Sequence, residues 1–437
     1  MIELRKGSLA AVAALALALA GAPPAGLAAD KPAAVGVPAA RPESQGFSSE
    51  RLARLDAGMR AIVDSGKVPG IATVLVRHGK VVHSDVYGKA DLATGAPLTR
   101  DSIWRMYSQT KPVTGVAMMI LYEEGRWKLD DPVTKYVPEF AGLKVFKGMD
   151  ADGKPILEPI ARAATMRELM THTAGFAYGL VTDNYVDKLY RDSGMLGAPT
   201  LSAAMTEAAR LPLAAQPGER WKYSVAVDIQ GYIVEKLSGQ SLPDFMQSRI
   251  FGPLGMTDTA FWVPEDKRSR LTTLYYFNPR EGKLLPAEGF MVLPVDKPPT
   301  AANGGGGLVS TMADFTRFAT MLSNGGELDG VRILAPATIR LMAANHLSDV
   351  TLPTYQADNP GRGFGLDVDV VMDPAAAGLI AGKGSYGWGG AAGTWFWVDP
   401  ENDVVFLGYI QVLGGSRLGL DMLSQALVYQ ALVDPEK

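Results

Sequence analysis

Ser108-Gln109-Thr110-Lys111 sets a hydroxyl and an amine three residues apart. On a helix that begins at Ser108 the two side chains share a face, one turn apart. A serine hydroxyl is a weak nucleophile until a base takes its proton. A lysine in a closed cleft becomes such a base once desolvation lowers its pKa towards neutrality. The helix N-terminus adds a field that favours negative charge on the serine oxygen. The spacing alone also fits a capped helix with a solvated lysine, so other groups must support it. Tyr223-Ser224, after Gln216-Pro217-Gly218-Glu219, supplies a phenol able to relay a proton to a leaving group; the plain alternative is a partly buried tyrosine with one hydrogen bond. In Tyr386-Gly387-Trp388-Gly389-Gly390-Ala391 the glycines allow a backbone to approach a substrate closely. The N–H of Ala391 can then join that of Ser108 in holding an oxyanion; otherwise the stretch is a tight turn.

Elements on both sides must position these groups. Leu52, Leu55, Met59 and Ile62 recur at helical steps after Ser49, which predicts a helix over 49–63. Segments 71–76 and 81–87 flank His78-Gly79-Lys80 as a hairpin, and 394–398 and 404–410 flank Asp399-Pro400-Glu401-Asn402-Asp403 as another. Between them the pattern is helical: from Ser108 to a stop at Gly125, over 225–237 before Gly239, and over 313–324 with Thr311 or Ser310 as cap. A last helix is expected over 418–433. Asn303-Gly304-Gly305-Gly306-Gly307 reads as a flexible turn, and 258–300 as irregular and proline-rich. Sheet signals at both ends with helices between predict one antiparallel sheet built from both ends (48–106 and 301–437) and an inserted helical subdomain (107–300), with the ligand cleft between them. That is an α/β (α+β) chain.

The composition narrows the alternatives. With 437 residues, 47% apolar and 20% charged, the chain can bury a large core. A formal net charge of −4 and the lack of any basic run argue against a nucleic-acid partner. There is no cysteine, hence no disulfide and no thiolate nucleophile. His78, His83, His172 and His346 show no metal-ligand spacing, so no cofactor or metal is expected; His172 reads as a structural hydrogen-bonding residue. No Gly-x-Ser-x-Gly elbow occurs. At the start, Arg5 and Lys6, an apolar run over 9–20 and Gly26-Leu27-Ala28 form the pattern of a secretory signal over 1–28. The run is shorter than a membrane span. Export to the periplasm or medium is therefore expected, without a stable membrane anchor after cleavage, and with a leader or linker over 29–47.

Taken in order, Ser108-Gln109-Thr110-Lys111, Tyr223-Ser224-Val225 and Trp388-Gly389-Gly390 resemble the serine β-lactamase and penicillin-binding-protein superfamily, and within it the family VIII carboxylesterases, which are similar to class C β-lactamases. Further similar stretches are Leu129-Asp130-Asp131-Pro132-Val133, Leu169-Met170-Thr171-His172-Thr173-Ala174-Gly175, Phe251-Gly252-Pro253-Leu254-Gly255-Met256 and Gly306-Gly307-Leu308-Val309-Ser310-Thr311. The resemblance implies a β-lactamase/transpeptidase-like fold and acyl-enzyme chemistry at Ser108. Lys111 and Tyr223 would share the proton work, with the choice of base open. Ser108 and Ala391 would supply the oxyanion-hole N–H groups, and Gln109, Val225, Trp388, Gly389 and Gly390 would contact substrate. Trp388 stands where β-lactamases carry a cation, and Val225 where many carry an asparagine. Both replacements strip polar recognition from the cleft, which favours small or short-chain esters over β-lactams. The alternatives are a β-lactamase, D-amino peptidase or amidase on the same site, and, in another class, a non-catalytic binding protein.

Overall fold

The computed structural model describes residues 35–436 apart from 182 and 290. The expected signal over 1–28 lies outside these residues, as does the first part of the expected linker.

Seven strands form the central sheet: β1 (Gly70–Arg77), β2 (Lys80–Gly88), β3 (Arg362–Phe364), β4 (Asp369–Val371), β5 (Tyr386–Gly389), β6 (Trp395–Asp399) and β7 (Val404–Tyr409). Their order is β3-β4-β5-β6-β7-β1-β2, and every neighbouring pair is antiparallel. The sheet is thus assembled from both ends of the chain, as the two hairpins predict. β1 meets β7 in a register that runs from Ala72 opposite Tyr409 to Arg77 opposite Val404.

Side-chain alternation sorts these strands onto two cores. Ile71, Leu75, Trp395, Trp397, Val404 and Phe406 bury against α1 (Ser49–Asp64) and α5 (Leu420–Tyr429), through Leu52, Leu55, Met59, Val428 and Tyr429. Ala72, Val74, Val76, Phe396, Val398, Val405 and Leu407 face the other way. They share a core with Val113 and Val116 of α2 (Lys111–Glu123), Ile229 and Ile233 of α3 (Ala226–Ser238), and Phe315 and Phe318 of α4 (Met312–Ser323). Each large apolar side chain so buried contributes roughly 1.5–3 kcal/mol. A one-residue slip would exchange the two faces of a strand at once, so the register is strongly specified.

The helix ends follow local chemistry. Ser48 caps α1 by accepting from the N–H of Arg51 at 3.3 Å. Thr311 caps α4 by accepting from Asp314 N–H at 3.2 Å. α3 stops at Gly239, whose φ of 73° suits glycine.

Three expectations change. Residues 35–47 do not behave as a linker: Val35, Val37 and Phe47 are buried, and Ala40 N–H donates to Val81 O at 2.9 Å, laying the segment beside β2. The helical subdomain and the irregular 258–300 stretch within it each contain a hairpin, Lys144–Met149 with Pro155–Pro159 and Tyr275–Asn278 with Lys283–Pro286, whose mostly exposed residues lack the alternation that reveals a half-buried strand. The helix expected from Ser108 begins instead at Lys111, after a 3-10 turn over Tyr107–Thr110, and Pro112 occupies its first turn. Among the described residues, no helix is long and apolar enough to cross a membrane.

Candidate active site

Strand Ile103–Arg105 pairs with Val309–Thr311 and delivers the chain to the turn that carries Ser108. Tyr107, the residue before it, has φ of 46°, a left-handed conformation that costs a side chain with a Cβ roughly 1 kcal/mol or more. The surroundings hold it there: Tyr107 is buried, and its hydroxyl donates to Met291 O at 2.6 Å. The sharp turn lets Ser108 line a cleft of about 1150 Å³ while Gln109 and Thr110 point into the protein.

Three side chains converge there. Tyr223 Oη donates to Ser108 Oγ at 2.7 Å, and Lys111 Nζ donates to the same oxygen at 3.2 Å. Lys111 is 1% exposed. Its other partners are Gly305 O at 2.6 Å and Tyr178 Oη at 3.4 Å, so its three N–H bonds meet three acceptors. Burial pulls its pKa down, as the sequence argument expects. Tyr178, Tyr223 and the buried carboxyl of Asp228 outweigh that effect, and the amine is held above the usual lysine range. The net direction favours the ammonium over a neutral amine, and the choice between Lys111 and Tyr223 as base, left open by the sequence, turns on it.

The glycine run behind Lys111 is not a loose turn. Thr114 Oγ1 donates to Gly304 O at 2.7 Å, Gly305 N–H donates to Asp228 Oδ1 at 3.0 Å, and Leu308 N–H donates to Thr110 Oγ1 at 3.1 Å. A Cβ on Gly305 would lie 2.8 Å from Asp228 Oδ2. Glycine is required because the strap crosses so close to α3. Burial raises the pKa of Asp228, against the pull of Lys111 and the Gly305 N–H.

On the opposite side, Gly390 packs so tightly on the nucleophile turn that an added Cβ would sit 2.2 Å from Met106 O. This contact sets the edge of β5 beside Ser108. Among the described residues, no protein oxygen accepts from the N–H of Ser108 or of Ala391, so both remain available to a developing oxyanion. Trp388 lines the cleft and packs against Tyr223 and Phe364, with ring centroids at 5.7 and 5.3 Å. Trp221 and Tyr355 extend this aromatic wall.

Of the residues singled out from sequence, Ser108, Lys111 and Tyr223 come together, and Trp388, Gly389, Gly390 and Ala391 line the cleft with them. Gln109 and Val225 do not reach it. Gln109 is fully buried, with neither amide atom partnered among the described residues, and Val225 is buried with its N–H on Ala177 O. Gln109 follows Ser108 in the 3-10 turn, and Val225 lies two residues after Tyr223 at the N-cap of α3; both side chains turn into the core. His172 is buried and shares a hydrogen bond with Ser224 Oγ at 3.0 Å. Burial, aided by Lys111, holds its pKa well below the usual value, so it is a neutral structural group. The sequence reading missed Tyr178, Asp228 and the carbonyl of Gly305. Only the first had a signal, since it closely follows the Leu169–Gly175 stretch.

A lysine and a phenol on one serine hydroxyl, in a cleft that Ala391 also lines, are serine-hydrolase machinery. The chain belongs to the Beta-lactamase family, whose model matches residues 55–428. Protein Rv1367c of Mycobacterium tuberculosis (strain ATCC 25618 / H37Rv) is 37% identical over 363 residues, covering 81% of this chain and 88% of that protein. Esterase EstB of Burkholderia gladioli is 31% identical over 362 residues, covering 79% and 86%. Among solved structures, EstCE1, a hydrolase with promiscuous acyltransferase activity, matches with a TM-score of 0.73 at 26% identity, covering 87% of this chain and 99% of that one.

Proposed function

We propose that this serine hydrolase is a carboxylesterase that works through an acyl-enzyme on Ser108. The observation that carries the reading is the convergence of Tyr223 and Lys111 on Ser108 Oγ in a cleft walled by Trp388 where a cation would serve a β-lactam carboxylate. The similarity to esterase EstB supports it.

The division of labour follows from the hydrogen bonds. Lys111 has no lone pair to offer while it is an ammonium, so Tyr223 relays the proton. In the reacting state the Tyr223–Ser108 bond is reversed, with Ser108 donating and Tyr223 accepting. Ser108 Oγ attacks the ester carbonyl carbon as its proton passes to Tyr223 and Tyr223 passes its own proton on to the alkoxy oxygen of the ester, and the carbonyl oxygen becomes an oxyanion for the N–H groups of Ser108 and Ala391. The alkoxide leaves with the proton from Tyr223, and the acyl group stays on Ser108. Water then attacks the acyl carbon, its proton passing to Tyr223 as Tyr223 returns its own to Ser108 Oγ. The acid departs, and Ser108 recovers its proton. Lys111 remains charged and stabilises whichever oxygen carries the negative charge.

Ser108→Ala should abolish hydrolysis of p-nitrophenyl butyrate and labelling by a fluorophosphonate; full activity in that variant would end the proposal. Turnover of nitrocefin in clear excess over esters would reassign the enzyme to β-lactams. We also propose export, from the pattern over 1–28. The N-terminus of the secreted protein should then begin at or near Ala29, and an unprocessed cytoplasmic protein would contradict it.

A further inference from the structure

The cleft is larger than a small ester needs. At about 1150 Å³ it exceeds the 300–1,000 Å³ typical of sites that enclose a drug-sized ligand. An acyl group of four carbons on Ser108 would leave most of it to water. Its lining includes two apolar segments that come from different parts of the chain.

One segment presents Leu180, Met195 and Leu196, and the other presents Met291, Leu293 and Pro294. Leu180 and Leu196 are 45% and 47% exposed, and Val181 beside them is 51% exposed. Apolar side chains so exposed at the entrance to an active site lose contact with water only when something apolar lies between them. Both segments are tethered. Asp187 accepts from Gly179 N–H at 2.9 Å and is held in turn by Lys222 at 2.7 Å. The second segment is bound through Met291 O to Tyr107, the residue that shapes the nucleophile turn. The apolar mouth is therefore preformed and keyed to the position of Ser108, which lowers the ordering cost of binding.

We propose that the site takes esters in which one side of the ester bond carries a bulky apolar group, of about ten carbons or more, seated between Leu180–Leu196 and Met291–Leu293. This rests on the esterase reading and names its substrate class. Burying each methylene at such a mouth is worth roughly a fourfold gain in affinity.

Two matched series with the wild-type enzyme test it. One varies the acyl side, from p-nitrophenyl butyrate to octanoate and laurate. The other varies the alcohol, from ethyl butyrate to the butyrates of 1-naphthylmethanol and a sterol, followed by acid release. kcat/KM should rise at least tenfold with size in one series, and that series identifies the bulky side. Flat or falling values in both overturn the proposal. In the double variant Leu180→Asp, Leu196→Asp, altered only at half-exposed positions, the preference for the bulky over the small ester should fall at least fivefold. An unchanged ratio overturns the proposal as well. Failure of the wild-type enzyme to turn over any ester in either series overturns the esterase reading, and this one with it.

Discussion

The two walls of the cleft solve opposite problems. Behind Ser108, Lys111, Asp228, Thr114 and the 303–307 strap form a buried, polar and tightly bonded layer. In front, Trp388, Trp221, Tyr355 and Phe364 form an aromatic surface packed largely by ring contacts. The back wall holds a charge out of water and so must satisfy every donor. The front wall offers area and few hydrogen bonds, and so recognises shape. The difference teaches where substitutions should act: changes behind the serine should lower kcat, and changes in front should raise KM.

The largest effect should come from Lys111→Met, which deletes the cation and leaves Asp228 buried without it. A loss of about 10³-fold in kcat on p-nitrophenyl butyrate is expected, within the range for proton-transfer groups, and activity near wild type would break the comparison. Tyr223→Phe removes the relay but keeps the ring, so kcat should drop about 10²-fold with KM little changed. Asp228→Asn weakens the bond that holds Gly305, and through it Lys111. About a tenfold fall in kcat is expected, the cost of one charge-assisted hydrogen bond. A rise in KM instead would place Asp228 with the front wall. Trp388→Ala should raise KM about threefold to tenfold with a small change in kcat, which sharpens the contrast if observed.

The smallest effect concerns stability. Asp367 is fully buried beside Gln230, which donates to it at 3.0 Å. Burial pushes its carboxyl up to about 8, against the opposing pull of Gln230 and Lys111. Between about pH 4 and that value the folded protein keeps a proton that the unfolded chain has lost, so stability falls as pH rises. Asp367→Asn should remove that decline. From about pH 5 to about pH 8 the Tm of wild type should drop roughly 2–4 °C more than that of the variant, as thermal unfolding across pH would show.

Much of this architecture was legible because it rests on local pattern. The strand-like runs 71–76, 81–87, 394–398 and 404–410, set in pairs around turn residues, predict the strands at the heart of the sheet, and Gly239 and Thr311 mark helix ends through their own backbone chemistry. The three motifs predict which side chains meet at Ser108. What stayed hidden depends on tertiary contacts. The left-handed turn at Tyr107 delays the helix to Lys111, and no residue type announces it. The glycine run looks flexible until Asp228 and Thr114 are seen to bind it. The charge on Lys111 depends on Asp228 and Tyr178, which lie far along the chain and outside the motifs. Gln109 and Val225, one and two residues from a site residue, show that closeness in sequence does not by itself bring a side chain into the site.

The register of β1 on β7 joins residues 72–77 to residues 404–409. The chain must therefore be synthesised to about residue 409 before the middle of the sheet can close, and the edge that carries Gly390 to Ser108 waits for the same event. Contacts this distant along the chain slow folding. A nascent or C-terminally truncated chain would carry Ser108 and Lys111 and still be inert, so activity should switch on late and all at once during biogenesis.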